Sequence, residues 1–172
     1  DAALTKNPDD VDALVKLGWL LASGNDLAGA QKQLEKAVGL DPKNVRAREI
    51  LGTVLSQKQK DKAKAMLEGV VADDPDRPAA VRTLGLLAMD AKDYDSAEKW
   101  FKRLQVLRPL DDASYTNLAG IYLLRKDTKG AIAELEELCK HEQKDDRIPR
   151  RLAELYAQND DLPDAKSAAF RA

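Results

Sequence analysis

The chain has 172 residues, of which 44% are apolar and 34% charged, a composition that supports a folded core and excludes a highly charged disordered polymer. Its 28 Lys and Arg residues are balanced by 30 Asp and Glu residues, so it lacks the basic excess with which nucleic-acid-binding proteins neutralise phosphates. One cysteine and one histidine exclude an internal disulfide and leave little for a metal site. We therefore expect a helix-rich protein without catalytic, cofactor or metal residues.

Neither a membrane-spanning segment nor a signal peptide is indicated. No stretch approaches the roughly 18 consecutive apolar residues of a membrane span, and the start lacks a basic segment followed by an apolar one. The first residues, beginning with Asp1, are typical of the end of a helix. We expect a piece of a longer protein that does not insert into a membrane, and either a cytoplasmic or a bacterial periplasmic location fits.

Two helical stretches form the first unit of the sequence. Apolar residues recur at helical spacing in each stretch, namely Leu14, Leu17 and Leu21, and then Leu27, Leu34 and Val38. Residues 23–26 predict a turn between them, with Asp26 as a candidate N-cap. The segment around Pro42 ends the second helix. Each unit is thus predicted as helix, tight turn, helix and proline-containing turn.

The same positions recur every 33 or 34 residues along the chain. The columns are Pro8, Pro42, Pro75 and Pro109; Gly18, Gly52, Gly85, Ala119 and Ala153, each preceded by leucine; Ala30, Ala63, Ala97, Ala131 and Ala165; and Leu34, Leu67, Phe101, Leu135 and Ala169. Small residues such as Gly18 are expected where two helices approach within about 8–10 Å. Because one helix pair cannot bury both its faces, the units are expected to stack.

These columns resemble the tetratricopeptide repeat (TPR) family over nearly the whole chain. The resemblance implies an all-α fold, a right-handed superhelical solenoid of about five antiparallel helix-turn-helix units. We predict that residues 1–172 form a single TPR array, with 1–8 as the tail of an upstream repeat. The repeats lie near 11–44, 45–77, 78–111, 112–145 and 146–172, the last one truncated. The second repeat is one residue short, which predicts a tighter inter-helix turn.

The resemblance also implies a concave groove lined mainly by the first helix of each unit. The candidate groove residues are Val15, Trp19, Ile50, Arg82, Leu86, Met89, Asn117, Leu123, Arg147 and Arg151. Trp19 stands out because an indole supplies a large contact area at low entropy cost. The alternative is that Trp19 packs on the preceding unit. Trp100 is expected in the core or on the convex surface.

A basic zone within this set matches a carboxylate-binding pattern of the family. Some members bind the terminal carboxylate of a peptide with Lys, Asn and Arg side chains from three consecutive first helices. The matching positions here are Arg82 with Leu86, Asn117, and Arg147 with Arg151. Leu86 lacks the amide found in that pattern. The alternative is a solvated basic edge, paired with Glu154 and Asp146.

The remaining chemistry-bearing residues predict structural roles. Cys139 and His141 are two residues apart at the end of a helix and point in different directions, so Cys139 is expected to be a small packed residue. The acidic pairs, such as Asp111-Asp112, are expected to cap helix starts rather than bind Ca²⁺. By its resemblance, the chain is a non-catalytic scaffold that binds a peptide or partner segment in the groove. The alternative is a self-associating TPR platform for oligomer assembly.

Overall fold

The described part of the chain is all-helical. The computed structural model describes Thr5, residues 7–141 and residues 147–158, and in this part of the chain there are nine α-helices with defined bounds and no β-strand. They are α1 (Val11–Ser23), α2 (Leu27–Leu40), α3 (Val45–Leu55), α4 (Lys60–Asp73), α5 (Pro78–Asp90), α6 (Tyr94–Leu107), α7 (Asp112–Leu124), α8 (Thr128–His141) and α9 (Arg147–Gln158).

Side-chain caps fix several of these starts. The predicted N-cap Asp26 is confirmed, because its carboxylate accepts a hydrogen bond from the Gly29 N–H at 2.9 Å. Asp111 caps α7 in the same way, which agrees with the capping role predicted for the acidic pairs. Each cap satisfies a backbone donor that the helix itself leaves unpaired.

Three inter-helix turns share one backbone conformation. Asn25, Lys92 and Lys126 each have φ near +60°, and each lies two residues after a first helix ends. In the first turn the Asn25 N–H donates to the Ala22 carbonyl and the next N–H to the Leu21 carbonyl. This pair of bonds closes the helix end and turns the chain back.

The second repeat differs from the other three, and the predicted tighter turn is wrong. Its turn, residues 56–59, is one residue longer than the turn at 24–26, whereas α3 has 11 residues and α1 has 13. The first helix is thus two residues shorter, about half a turn, and the turn is one residue longer, which together account for the one missing residue. At this turn the Gln59 N–H donates to the Leu55 carbonyl.

The chain divides into two compact units, residues 1–93 and 94–172. In unit 1, α1 packs on α2, α2 on α3, α3 on α4 and α4 on α5, and the first helices α1, α3 and α5 also contact one another in series. In unit 2, α6 packs on α7, α7 on α8 and α8 on α9. The division falls inside the repeat predicted at 78–111, and the single array stays a prediction.

Close helix contacts in unit 1 depend on glycine. A side chain at Gly18 would place its Cβ 2.5 Å from Cγ of Leu34, and one at Gly52 would lie 2.7 Å from Cγ of Leu67. Both leucines are fully buried. The prediction that small residues sit where paired helices touch is confirmed here. Larger side chains at these positions would force the helices apart.

Candidate functional site

The first helices of unit 1 present a row of accessible side chains. Trp19, Thr53 and Leu86 hold the same repeat position, at spacings of 34 and 33 residues, on three helices that contact one another in series. Trp19 is 51% exposed and Leu86 is 48% exposed, and Thr53 is exposed between them in repeat order. We call these three side chains the first-helix row. It contains two exposed large apolar side chains, Trp19 and Leu86, of residue types that are more often buried.

Val15 does not belong to an accessible groove, so that prediction is wrong. Its side chain is only 3% exposed, in a cluster with Leu14, Ala37 and Ala47. Ala47 lies on α3, and the half-buried Ile50 of the same helix packs against this cluster. The contact between α1 and α3 therefore covers Val15 and part of Ile50.

The remaining predicted residues of unit 1 lie on α5. Arg82 is exposed, and Met89 is half-buried. On the neighbouring α3, the half-buried Glu49 forms an ion pair with Arg77, with 3.1 Å between its Oε2 and Nη2 of the arginine. Unit 1 thus carries charges of both signs near the first-helix row.

In unit 2 the structure brings Arg147 and Arg151 to one cleft. With Asp112 and Thr116 of α7, they line a space of about 370 Å³. Arg151 donates from Nη1 to Oε2 of Glu154 at 2.7 Å, which is the pairing expected for a solvated basic edge. Asp112 adds a negative charge on the opposite side of the cleft.

Asn117 and Leu123, the other predicted residues of unit 2, have protein contacts. The Asn117 amide donates from Nδ2 to the Ala113 carbonyl at 2.6 Å, and Leu123 packs against a buried cluster that includes Leu135. Both are half-buried. Arg82 and Leu86 lie in unit 1, whereas Asn117, Arg147 and Arg151 lie in unit 2, and the carboxylate clamp stays a prediction.

A cluster of charged side chains joins α6 to the C-terminal end of α7. Hydrogen bonds from Lys102 and then Arg125 lower the pKa of Glu98 to about 2, and the Tyr122 hydroxyl donates to Oε1 of Glu98 at 3.0 Å. Arg125 also pairs with Asp95, and burial is the main cause that raises the pKa of Tyr122. Because each of these charged side chains is paired with another side chain of the protein, we interpret the cluster as a structural ion-pair network that holds the two helices together. It was not predicted, since its members are as many as 30 residues apart.

A second accessible surface, which the prediction missed, lies on α1. Leu20 is 58% exposed, although it belongs to an apolar column in which three of the other four members are buried and Leu87 is half-buried. That column is Leu20, Val54, Leu87, Ile121 and Leu155, at spacings of 34, 33, 34 and 34 residues. The constant apolar character of the column was the available signal, because it predicts a face that packs on the preceding unit.

The cysteine, histidine and acidic residues considered above as reactive or metal-binding groups do not form a site where the structure describes them. Cys139 is half-buried and packs against the buried cluster of unit 2, whereas the His141 side chain, Asp146 and Asp160-Asp161 lie outside the described residues. Where the structure describes the chain, His, Cys, Asp and Glu residues nowhere gather in threes that could hold a metal ion. The same part of the chain contains no helix with the length and apolarity that crossing a membrane requires.

Comparison with known proteins agrees with this architecture. A family model described as the cytochrome c-type biogenesis protein H TPR domain matches residues 2–115. MamA shares 18% sequence identity over 94% of this chain and 88% of its own, with a TM-score of 0.79. YrrB, described as a TPR protein with an unusual peptide-binding site, shares 18% identity over 99% of this chain and 88% of its own, with a TM-score of 0.77.

PilF of Pseudomonas aeruginosa is also similar, at 19% identity over 92% of this chain and 72% of its own, with a TM-score of 0.76. No curated protein sequence matches the chain significantly. At these identities the solved structures establish the fold, and they confirm the all-α TPR architecture that the repeat columns predicted.

Proposed function

Because the chain belongs to the family of cytochrome c-type biogenesis protein H TPR domains, we propose that it is a non-catalytic protein-interaction scaffold that holds a segment of a partner polypeptide on the first helices of unit 1. The observation that carries this proposal is the first-helix row. Trp19 and Leu86 expose about half of their side chains, and they lie at one repeat position of helices in serial contact. Tryptophan is one of the residue types enriched among the side chains that dominate binding energy at protein interfaces.

The spacing of the row suggests the form of the ligand. Packed helices are about 8–10 Å apart, so Trp19 and Leu86, two helices apart, are separated by roughly 16–20 Å. An extended peptide advances about 3.3 Å per residue, and it spans this distance in about five or six residues. We therefore expect two apolar ligand side chains at about that separation, with a small or polar residue opposite Thr53.

Two comparisons support a polypeptide ligand and suggest its source. YrrB is described as having a peptide-binding site, and the matching family is named for cytochrome c-type biogenesis. We propose that the partner is a protein of cytochrome c biogenesis. Haem-free cytochrome c is the first probe, because it presents an unfolded chain from which an extended segment can dock.

The test is calorimetric titration of haem-free cytochrome c into the wild-type chain and two variants. Trp19→Ala is expected to weaken binding more than tenfold, since it removes an aromatic anchor. Leu20→Ala is the matched control, because Leu20 is equally exposed but lies outside the row. Circular dichroism should show unchanged helix content in both variants.

The two parts of the proposal can fail separately. If the wild-type chain does not bind haem-free cytochrome c, the proposed partner class is wrong. The row is then tested with a library of extended peptides selected on the wild-type chain. Selected peptides that bind Trp19→Ala as tightly as the wild type would refute the row as the binding surface.

A further inference from the structure

A groove lies between the second helices α2 and α4 of unit 1. Both helices pack on α3, and with α3 they line a space of about 720 Å³. Leu51 and Leu55 of α3 line it and are at most 5% exposed. The half-buried Val38 of α2 and Met66 of α4 also line it, and they pack against the cluster that contains both leucines. We call this space the second-helix groove, and these four side chains give it an apolar lining.

Glycine keeps both walls of the groove low. No atom lies within 4 Å of a Cβ at Gly39, and at Gly69 the nearest atom is Nη1 of Arg48, at 3.8 Å. Both glycines line the groove. At the repeat position of Gly69, the other second helices carry long charged side chains, namely Lys36, Arg103 and Glu137. Because a long side chain at Gly69 would occupy part of the space, the opening depends on residues of this particular helix pair.

In unit 2, a hydrogen bond crosses between the second helices at the positions that Val38 and Met66 hold in unit 1. Gln105 of α6 lies two repeats after Val38, and Glu134 of α8 lies two repeats after Met66. Nε2 of Gln105 donates to Oε2 of Glu134 at 2.7 Å. The second-helix groove thus has an apolar pair where unit 2 has a polar bridge.

A helix is the ligand form that suits a groove walled by helices. The backbone groups within α2, α3 and α4 are paired inside each helix, so a docked extended peptide would bury its own N–H and C=O groups without partners. A docked helix has its backbone groups already paired, and such helices insert large apolar residues at positions i and i+4 into apolar grooves. Leu51 and Leu55 are one turn apart, about 6 Å along α3, which matches that spacing.

The two walls carry opposite charges, which specify the flanks of the ligand. Glu35 of α2 and Lys62 of α4 line the groove and are exposed. The Glu35 carboxylate accepts a hydrogen bond from the neutral Gln31 amide at 2.7 Å, and neither Glu35 nor Lys62 forms an ion pair within the part of the chain that the structure describes. The remaining charged residue of the lining, Arg48, is already paired with Asp73. A helix that is basic toward α2 and acidic toward α4 complements both walls.

We propose that the second-helix groove binds a short amphipathic helix of another protein, with two large apolar residues four positions apart, a basic flank toward α2 and an acidic flank toward α4. This surface is separate from the first-helix row, because Thr53 and Leu51 are two residues apart and point to nearly opposite sides of α3. The contact is smaller than a standard protein–protein interface, so we expect dissociation constants of about 1–100 μM.

The test uses a displayed library of single helices as the probe and the full chain of 172 residues as the target. Each helix has a fixed frame of about 18 Ala, Glu and Lys residues, long enough to be helical alone, and the positions of one face are randomised. Enriched peptides are synthesised, and their affinities are measured by fluorescence anisotropy. We expect the enriched sequences to share the apolar spacing and the two oppositely charged flanks.

Two pairs of variants locate the bound helix. Gly39→Trp should weaken binding at least about tenfold, because the indole occupies the groove while the open space at Gly39 preserves the fold. Ala72→Trp is its matched control, since Ala72 is exposed at the same repeat position of α4 and lies outside the lining. Lys62→Glu should weaken binding about threefold to tenfold. Lys64→Glu, an equal charge change at an exposed site of the same helix outside the lining, should bind like the wild type.

The proposal is overturned if no helix is enriched on the wild type over Gly39→Trp, or if the enriched peptides bind both chains equally. Dodecanoate is the second probe. If it binds the wild type but not Gly39→Trp while no helix is enriched, the groove takes an acyl chain and the helix proposal is wrong. Trp19→Ala should leave helix binding unchanged, so this result and the result for the first-helix row are independent. Loss of helix binding in Trp19→Ala would instead assign the peptides to that row.

Discussion

Replacing Gly52 with alanine is expected to destabilise unit 1, because α3 has no room for a methyl group at this position. The new Cβ would lie 2.7 Å from both Cγ and Cδ2 of Leu67. Carbon atoms at an ordinary contact distance are about 3.5–4.0 Å apart, so the leucine would have to withdraw by roughly 0.8 Å or more. Leu67 is fully buried, and a movement of this size displaces its neighbours as well.

The magnitude follows from two opposing contributions. Inserting a methyl group into a packed core costs about 1–3 kcal/mol, and alanine is a better helix former than glycine by about 1 kcal/mol. The expected net loss in the free energy of unfolding is therefore about 0–2 kcal/mol. Gly39→Ala is the matched control, since no atom lies within 4 Å of a Cβ at Gly39, and it should stabilise the chain by up to about 1 kcal/mol.

Urea unfolding at 25 °C, followed by circular dichroism, measures both variants. With a urea dependence of about 2 kcal/mol/M, the two midpoints should differ by about 1 M, with Gly52→Ala the lower. Equal midpoints for the two variants would contradict the claim that Gly52 is a packing requirement.

Two further predictions concern unit 2 and the turns. Glu98→Gln should make stability less dependent on pH in the acid range. The pKa of Glu98 in the folded chain, about 2, lies below its ordinary value of 4.5, so the wild-type chain gains stability from this group above pH 4.5 and loses it as the pH falls toward 2. Solvent screening limits this contribution to stability to the order of 1 kcal/mol. The measurement is the melting temperature of both chains at several pH values, and parallel curves of melting temperature against pH would contradict the prediction. Lys92→Gly should stabilise the chain by about 0.5–1 kcal/mol, because Lys92 has φ of 59°, a conformation that glycine adopts without strain. Ser56→Gly, at a position with φ of −57°, should destabilise it, and a gain in melting temperature for Ser56→Gly as large as that for Lys92→Gly would refute the explanation.

The repeat columns predicted the architecture because their residues make the helix–helix contacts that recur from one repeat to the next. The first helices begin at Val11, Val45, Pro78 and Asp112, where the predicted units begin. These starts depend on caps and prolines within a few residues, so local sequence is sufficient. The place of the missing residue in the second repeat was not predictable in this way, because a longer turn and a shorter helix satisfy the same count.

The accessible surface was less predictable than the helices. Val15 and Trp19 are one helical turn apart on α1, yet Val15 is 3% and Trp19 51% exposed. The difference arises because Ala47 of the neighbouring helix lies against Val15, and the spacing of residues along one helix does not specify the angle at which the next helix crosses it. The Glu98 cluster shows the same limit, since Glu98 and Arg125 meet only after two helices have packed.

The turns at Asn25 and Lys126 carry a consequence for how the protein reaches its folded state. They bring α1 onto α2 and α7 onto α8 through links of three residues, so most partners in these hairpins are near neighbours along the chain. Low contact order of this kind favours rapid folding, and a repeat architecture permits nucleation at more than one place. Damage to one hairpin should accordingly slow its own closure while the other still forms.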